Sequence, residues 1–416
     1  MLIVPEIYMD KNAKYLTEPV IKSFMSEHDI PYSSSAVRSE WLTCIINFGN
    51  ESDSNKATVL NWIDDVALEG IREIHVKYFP IKQESKALLE NEEYALSQLK
   101  KHIPDEVVPH LSSNVYDEKL TLVSVRWMGE GRGRKIVFTY CKKLFTYESS
   151  RSGETTKPID YPIIAEYYIY DQWLLVIAKS RSPLYLERPN RNGESKRTTT
   201  EKQIDEVFNE MESILFKDNS ISTRTETKLK NKLYRLINEY TGTPSEIKEI
   251  MESSVVQMDT IKEMIADLCH VQGKCNPPSS EKIQNDIANI VEKHLSINWH
   301  DNRIFTQGRK AYPIMLNSID GEETKLKQET SIDLPLQKQS AFFNNKNTLN
   351  DKQSCNSAIF AWKRANPWYS TQTRFPVEIY VKKEVCVFKF TKYTKKEDMD
   401  DVIFSVIGAD ENTDKP

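Results

Sequence analysis

The sequence predicts an α+β chain of several domains, and three observations carry that expectation. Four runs, at 120–127, 135–140, 162–170 and 173–179, are rich in β-branched and aromatic residues and bounded by Gly, Pro, Asp or Ser, the signature of adjacent antiparallel strands. From 200 to 298 the apolar residues recur instead at the helical period. Beyond 300 short strand-like runs return, and an amphipathic helix follows them. A length of 416 residues exceeds one ordinary core, so about two to four domains are expected. We place a helical and α+β domain at 1–110, a β-rich domain with a basic hairpin at 111–188, a helical bundle at 201–300 and a small α+β domain at 301–416. Residues 189–200 read as a basic linker.

A hydrophobic share of 39% is enough to fill these cores, and 12 glycines with 18 prolines argue against a disordered or collagen-like chain. The net charge of −5 names no partner, but a basic segment stands out against it. Six scattered cysteines do not make a secreted disulfide scaffold. Pro5 and Glu6 interrupt the start, with no basic segment before them, and no run approaches membrane length. A cytoplasmic protein without membrane attachment is expected.

Taken in order, 16–25 predicts a helix with Val20, Ile21, Phe24 and Met25 on one face. A second helix over 36–48 carries Val37, Trp41, Leu42, Ile45 and Phe48 and can be capped by a serine. Two short helices joined by an extended segment, with this sequence at the second, resemble the SAP/HeH helix–extension–helix modules. The resemblance implies DNA binding, with Arg38 near the start of the second helix facing phosphates. A helix N-terminus favours anions through its unpaired N–H groups, which gives that role a physical basis. The loop glycine of such modules is absent, and Glu27 and Asp29 put negative charge nearby. Next come a helix over 56–68 capped by Ser54, a strand over 71–79 and a charged helix over 84–101, whose Glu90, Glu92 and Glu93 make it acidic.

In the strand-rich centre, Asp171 and Gln172 leave room for only a tight hairpin, and 141–161 reads as a polar loop. The turn at 128–134 has three glycines but no Lys-Ser/Thr pair to grip phosphates, so it predicts a hairpin tip bearing Arg132 and Arg134. Arg126, Arg132, Arg134, Lys142, Lys143 and Arg151 lie among Trp127, Phe138, Tyr140, Phe145 and Tyr147. Bases among aromatics suit phosphate contact plus stacking on nucleobases.

In the helical region Thr200 can cap a helix carrying Ile204, Val207, Phe208, Met211, Ile214 and Leu215. Leu229, Leu233, Leu236, Ile237 and Tyr240 mark a second. After Pro244, a third is expected to bury a stripe of Ile247, Ile250, Met251, Val255, Met258, Ile261, Ile265 and Leu268, with the methionines of the helical region as core filler. Ile283, Ile287 and Ile290 mark a fourth, and the set can self-associate or hold a protein partner. Strands are expected at 311–316, 358–363, 377–383 and 385–390, a helix at 397–407, and long loops over 318–357. Trp362, Lys363, Arg364, Trp368, Tyr369 and Arg374 form a second basic–aromatic cluster, or a core tryptophan beside a loop.

Motifs for chemistry are sparse. Asp160 with Glu166 and Lys179, or Glu378 with Lys382, have the wrong spacing for a restriction-type nuclease. Cys269, His270, Cys275, His294 and His300 offer zinc-type donors at an unusual spacing. No catalytic residue, metal or cofactor is therefore assigned. The expectation is an accessory protein that binds nucleic acid, DNA rather than RNA, through Arg38, Arg126, Arg132, Arg134, Lys142, Lys143 and Arg151. A scaffold subunit and a divergent metal-dependent nuclease of a defence system are the alternatives.

Overall fold

The computed structural model describes residues 2, 4, 6–9, 15–33, 35–93, 97, 117–150, 153–188, 196–215, 217–218, 225–272, 279–319, 325–366 and 372–408. It is a mixed α/β chain with a large antiparallel sheet. The strands among these residues are, in chain order, β1 (Arg72–Tyr78), β2 (Thr121–Met128), β3 (Lys135–Ser150), β4 (Gly153–Tyr168), β5 (Trp173–Ala178), β6 (Leu184–Tyr185), β7 (Arg197–Thr198), β8 (Ala311–Ile319), β9 (Lys325–Glu329), β10 (Ser357–Lys363), β11 (Arg374–Lys382) and β12 (Val385–Phe390). Two compact units divide them, the first holding residues 1–225, 366–371 and 383–400, the second the remainder.

In the first unit the strands run β7-β6-β3-β4-β5-β1-β12, with β2 also on β3. Every register pair in a row shares a face, because side chains alternate along each strand. Val125, Phe138, Ala165, Val176 and His75 make one such row. Its face packs on Ile204, Val207, Phe208 and Met211 of the helix Thr200–Ile214, whose apolar stripe falls where its period requires. Arg126, Val137, Glu166, Leu175 and Val76 make the adjacent row on the opposite face. There the helix Asp53–Leu68 is tied in by an ion pair from Arg126 to Asp64 (2.7 Å) and by the buried Arg72, which donates to the carbonyl of Ala67. The N-terminal helices and the strand-rich centre thus meet on one sheet.

The helices start where unpaired N–H groups find acceptors, though not at the serines and threonine expected. Glu40 accepts from the N–H of Val37 at the helix Arg38–Glu51, so no serine caps it. Ser52 rather than Ser54 caps Asp53–Leu68, and Thr199 rather than Thr200 caps Thr200–Ile214. In each of these last two the cap moves upstream because the hydroxyl must sit just outside the first helical residue.

The second unit has strand order β11-β10-β8-β9 and the helices Thr225–Tyr240, Ser245–Ser253, Val255–Gln272, Ser280–Asn298 and Ser340–Lys352. Its β9 and the helix Ser340–Lys352 occupy the stretch expected to be long loops. Cationic side chains close two helix ends. Lys338 donates to the carbonyls of Ser296, Ile297 and Trp299, and Arg309 to those of Tyr240 and Gly242.

The stripe expected to be buried after Pro244 is covered only in part, with Met251, Met258 and Ile265 half-buried. Ile247 is buried, but Ile250, Val255, Ile261 and Leu268 are exposed. The helix breaks at Ser254, and Val255–Gln272 packs along Ser280–Asn298 with one side only. Met264, read as core filler, is exposed as well. Among the described residues no helix is long and apolar enough to cross a membrane.

Candidate nucleic-acid interface

The two longest strands build the site. Pairing of β2 with β3 ends at Cys141, and pairing of β5 with β4 ends at Ile163. Beyond those points β3 and β4 continue together from Cys141↔Pro162 to Ser150↔Gly153, a two-stranded ribbon where a polar loop was expected. Alternation sorts its side chains. Lys142, Leu144 and Thr146 are buried on one face, where Lys142 donates to both carboxylate oxygens of Glu206 at 2.8 and 2.7 Å. Lys143, Phe145 and Tyr147 are half-buried on the other.

Two short strands extend that second face. Tyr185 of β6 is the register partner of Phe145, and Arg197 of β7 is the partner of Tyr185. The rings of Tyr147 and Tyr185 meet edge to face, with centroids 5.2 Å apart. Tyr185 is half-buried and Arg197 exposed. Two cations and three aromatic rings therefore share one partly open face. Asp160, paired in register with Lys143, adds one carboxylate at its edge.

The basic residues picked from sequence divide into groups. The guanidinium of Arg38 donates to the carbonyls of Met9 (2.6 Å), Tyr8 (3.0 Å) and Leu16 (3.3 Å), which ties the N-terminal segment to the helix start. Arg126 pairs with Asp64, and Lys142 with Glu206. Arg132 is exposed and Arg134 half-buried at the hairpin tip. At about 3.3 Å per residue, that tip lies roughly 30 Å along β3 from Phe145, so the tip and the ribbon are separate surfaces. Lys143 alone among these residues lies on the aromatic face, and Arg151 lies outside the described residues. Tyr185 escaped sequence reasoning, because a two-residue strand leaves no period to read, and Arg197 lies on a strand within the stretch read as a basic linker.

In the second basic–aromatic cluster Lys363 is exposed, but Trp362, Arg364 and Arg374 turn to partners within the fold. Trp362 is buried and donates to Asp401 (3.0 Å), Arg364 donates to the carbonyl of Gln372, and Arg374 donates to four carbonyls. Trp368 and Tyr369 lie outside the described residues.

Among the described residues the carboxylates considered for a nuclease are not gathered for metal chemistry. Asp160 and Glu166 stand roughly 20 Å apart along β4, and Glu378 and Lys382 roughly 13 Å apart along β11. Glu166 is fully buried and accepts from Lys135 (2.8 Å) and Lys396 (3.0 Å). Burial alone would raise its pKa, but Lys396 and Lys135 outweigh that and hold it down at about 2. Burial pushes the neighbouring Asp400 up, against the pull of Lys396. Of the zinc-type donors, His294 and His300 line an open groove with Trp299 and Asp301, Asp301 already being paired with Arg303. Cys275 and the side chains of Cys269 and His270 lie outside the described residues. Among the described residues no three His, Cys, Asp or Glu side chains are grouped to hold a metal ion.

No protein-family model, curated protein or solved structure matches this chain.

Proposed function

We propose that this chain binds nucleic acid as a non-catalytic accessory protein and takes a single strand on the β3–β4 ribbon. The observation that carries the reading is the shared face of Lys143, Phe145, Tyr147, Tyr185 and Arg197. Phe145 and Tyr147, two residues apart on one strand, stand about 6–7 Å from each other, a spacing that suits unstacked bases of an extended strand better than bases stacked in a duplex. Lys143 and Arg197 would meet the phosphates, and the rings would stack on bases of any identity. DNA is the first ligand to test.

The test is fluorescence anisotropy with labelled oligo-dT, oligo-rU and a DNA duplex, titrated at several salt concentrations. Single strands are expected to bind more tightly than duplex, with affinity falling as salt rises by a log–log slope of about 0.7 per phosphate contact. Tyr147→Ala and Phe145→Ala should each weaken single-strand binding by about 1–3 kcal/mol while changing duplex binding little. Lys143→Glu with Arg197→Glu should weaken binding equally on every sequence, and Arg132→Glu with Arg134→Glu should have a smaller effect. Absence of binding at low salt, or aromatic variants that bind as the parent does, would remove the ribbon as the site.

A further inference from the structure

An apolar stripe lies open on the second unit. Ile261, Met264 and Leu268 follow the i, i+3, i+7 spacing that puts side chains on one helix face. Met264 is 57% exposed and Leu268 61%, with Val256 of the same helix at 76%. Ile290, on the helix packed alongside, is 56% exposed as well. Single exposed apolar residues are ordinary, but three at helical spacing on one face mark an interaction surface.

Charge decides what can cover it. The helix Val255–Gln272 carries Asp259, Glu263 and Asp267 against Lys262, and the helix Ser280–Asn298 carries Glu281, Asp286 and Glu292 against Lys282 and Lys293. Glu263 and Asp267, both exposed and one turn apart, flank the stripe, while Lys262 is half-buried. A second copy would bring carboxylates against carboxylates. An anionic lipid surface or a nucleic acid would meet the same repulsion. The occupant must be apolar along a helical stripe and cationic at its margins.

We propose that this face docks a basic amphipathic helix of another protein, whose apolar anchors cover Ile261, Met264 and Leu268 and whose Lys or Arg side chains meet Glu263 and Asp267. The unbranched, polarizable Met264 lets the surface adapt to differently shaped anchors. This inference is independent of the ribbon, which lies in the first unit.

The test uses the full chain and three labelled synthetic peptides about four helical turns long. One is amphipathic with Leu on one face and Lys on the other, one carries Glu in place of Lys, and one scrambles the Leu/Lys composition. The amphipathic Lys peptide is expected to bind, with the other two weaker by about tenfold or more. Leu268→Ser with Met264→Ser should reduce its affinity by about tenfold, as loss of buried anchors does. Glu263→Lys with Asp267→Lys should shift preference toward the Glu peptide. These are surface positions, and circular dichroism will verify that each variant is folded. Equal binding of the scrambled peptide, or unchanged binding by both variants, would overturn the proposal. So would a concentration-dependent dimer in sedimentation velocity that Leu268→Ser abolishes, because a second copy would then be the occupant.

Discussion

Two ammonium groups make it possible for Glu166 to stay ionised with no solvent exposure. Removing one member of such a network leaves buried charge unmatched, which costs about 3–5 kcal/mol. Glu166→Gln, which leaves Lys135 without a carboxylate and Lys396 with Asp400 alone, should lower the unfolding free energy by about that much at neutral pH in urea titrations. The sign of the pH dependence follows from the depressed pKa. The folded value of about 2 lies below the ordinary 4.5, so the stabilisation is complete above pH 4.5 and is lost as pH falls toward 2. The Gln variant should therefore lose less stability than the parent across that interval. Equal acid sensitivity in the two proteins would mean the network contributes nothing. The same logic explains why bases counted as surface charge became internal. Glu206, the partner of Lys142, lies 64 residues along the chain, and no local pattern reveals it.

Turn and strand geometry govern the next scale. Gly129 opens the hairpin tip with φ of +73°, and a Cβ there would fall 2.6 Å from the carbonyl oxygen of Gly133. Gly129→Ala should destabilise the protein by at least about 1–2 kcal/mol, from backbone strain alone. Gly133→Ala, whose Cβ meets nothing within 4 Å, should be close to neutral. A thermal melt of both variants checks the pair, and equal shifts would discount the tip geometry. Strands β2 and β5 were legible because β-branched runs bury both of their faces. The ribbon was not, since Thr146, Glu148, Ser149 and Ser150 dilute its apolar residues to the level of a loop. Helical period located the 255–272 helix but carries no information on whether a neighbour covers its stripe. Ile261 and Leu268 fit the period and remain exposed.

At the scale of the molecule, the cysteines report each unit separately. Cys141 and Cys386 are buried in the first unit and Cys355 in the second, while Cys44 is half-buried. Burial pushes the Cys355 thiol up to about 12 and the other two buried thiols up as well, so little reactive thiolate forms at neutral pH. Iodoacetamide labelling read by mass spectrometry should modify Cys44 in the native protein. The three buried thiols should react only as denaturant opens their own unit. Native labelling of Cys141 or Cys386 at the rate of Cys44 would contradict the burial described.

The pairing of β1 with β12 has a consequence for biosynthesis. Arg72 aligns with Phe390, and most of the second unit is encoded between the two strands. At about 5–20 residues per second, a ribosome takes roughly tens of seconds to travel from one to the other. Once β5 has been made, the nascent chain still carries β1 with one side unpaired, an open edge with Ile74 and Val76 that invites pairing with other polypeptides. Slowing translation between the two strands should therefore raise the aggregated fraction, and supplying 383–400 in trans should lower it.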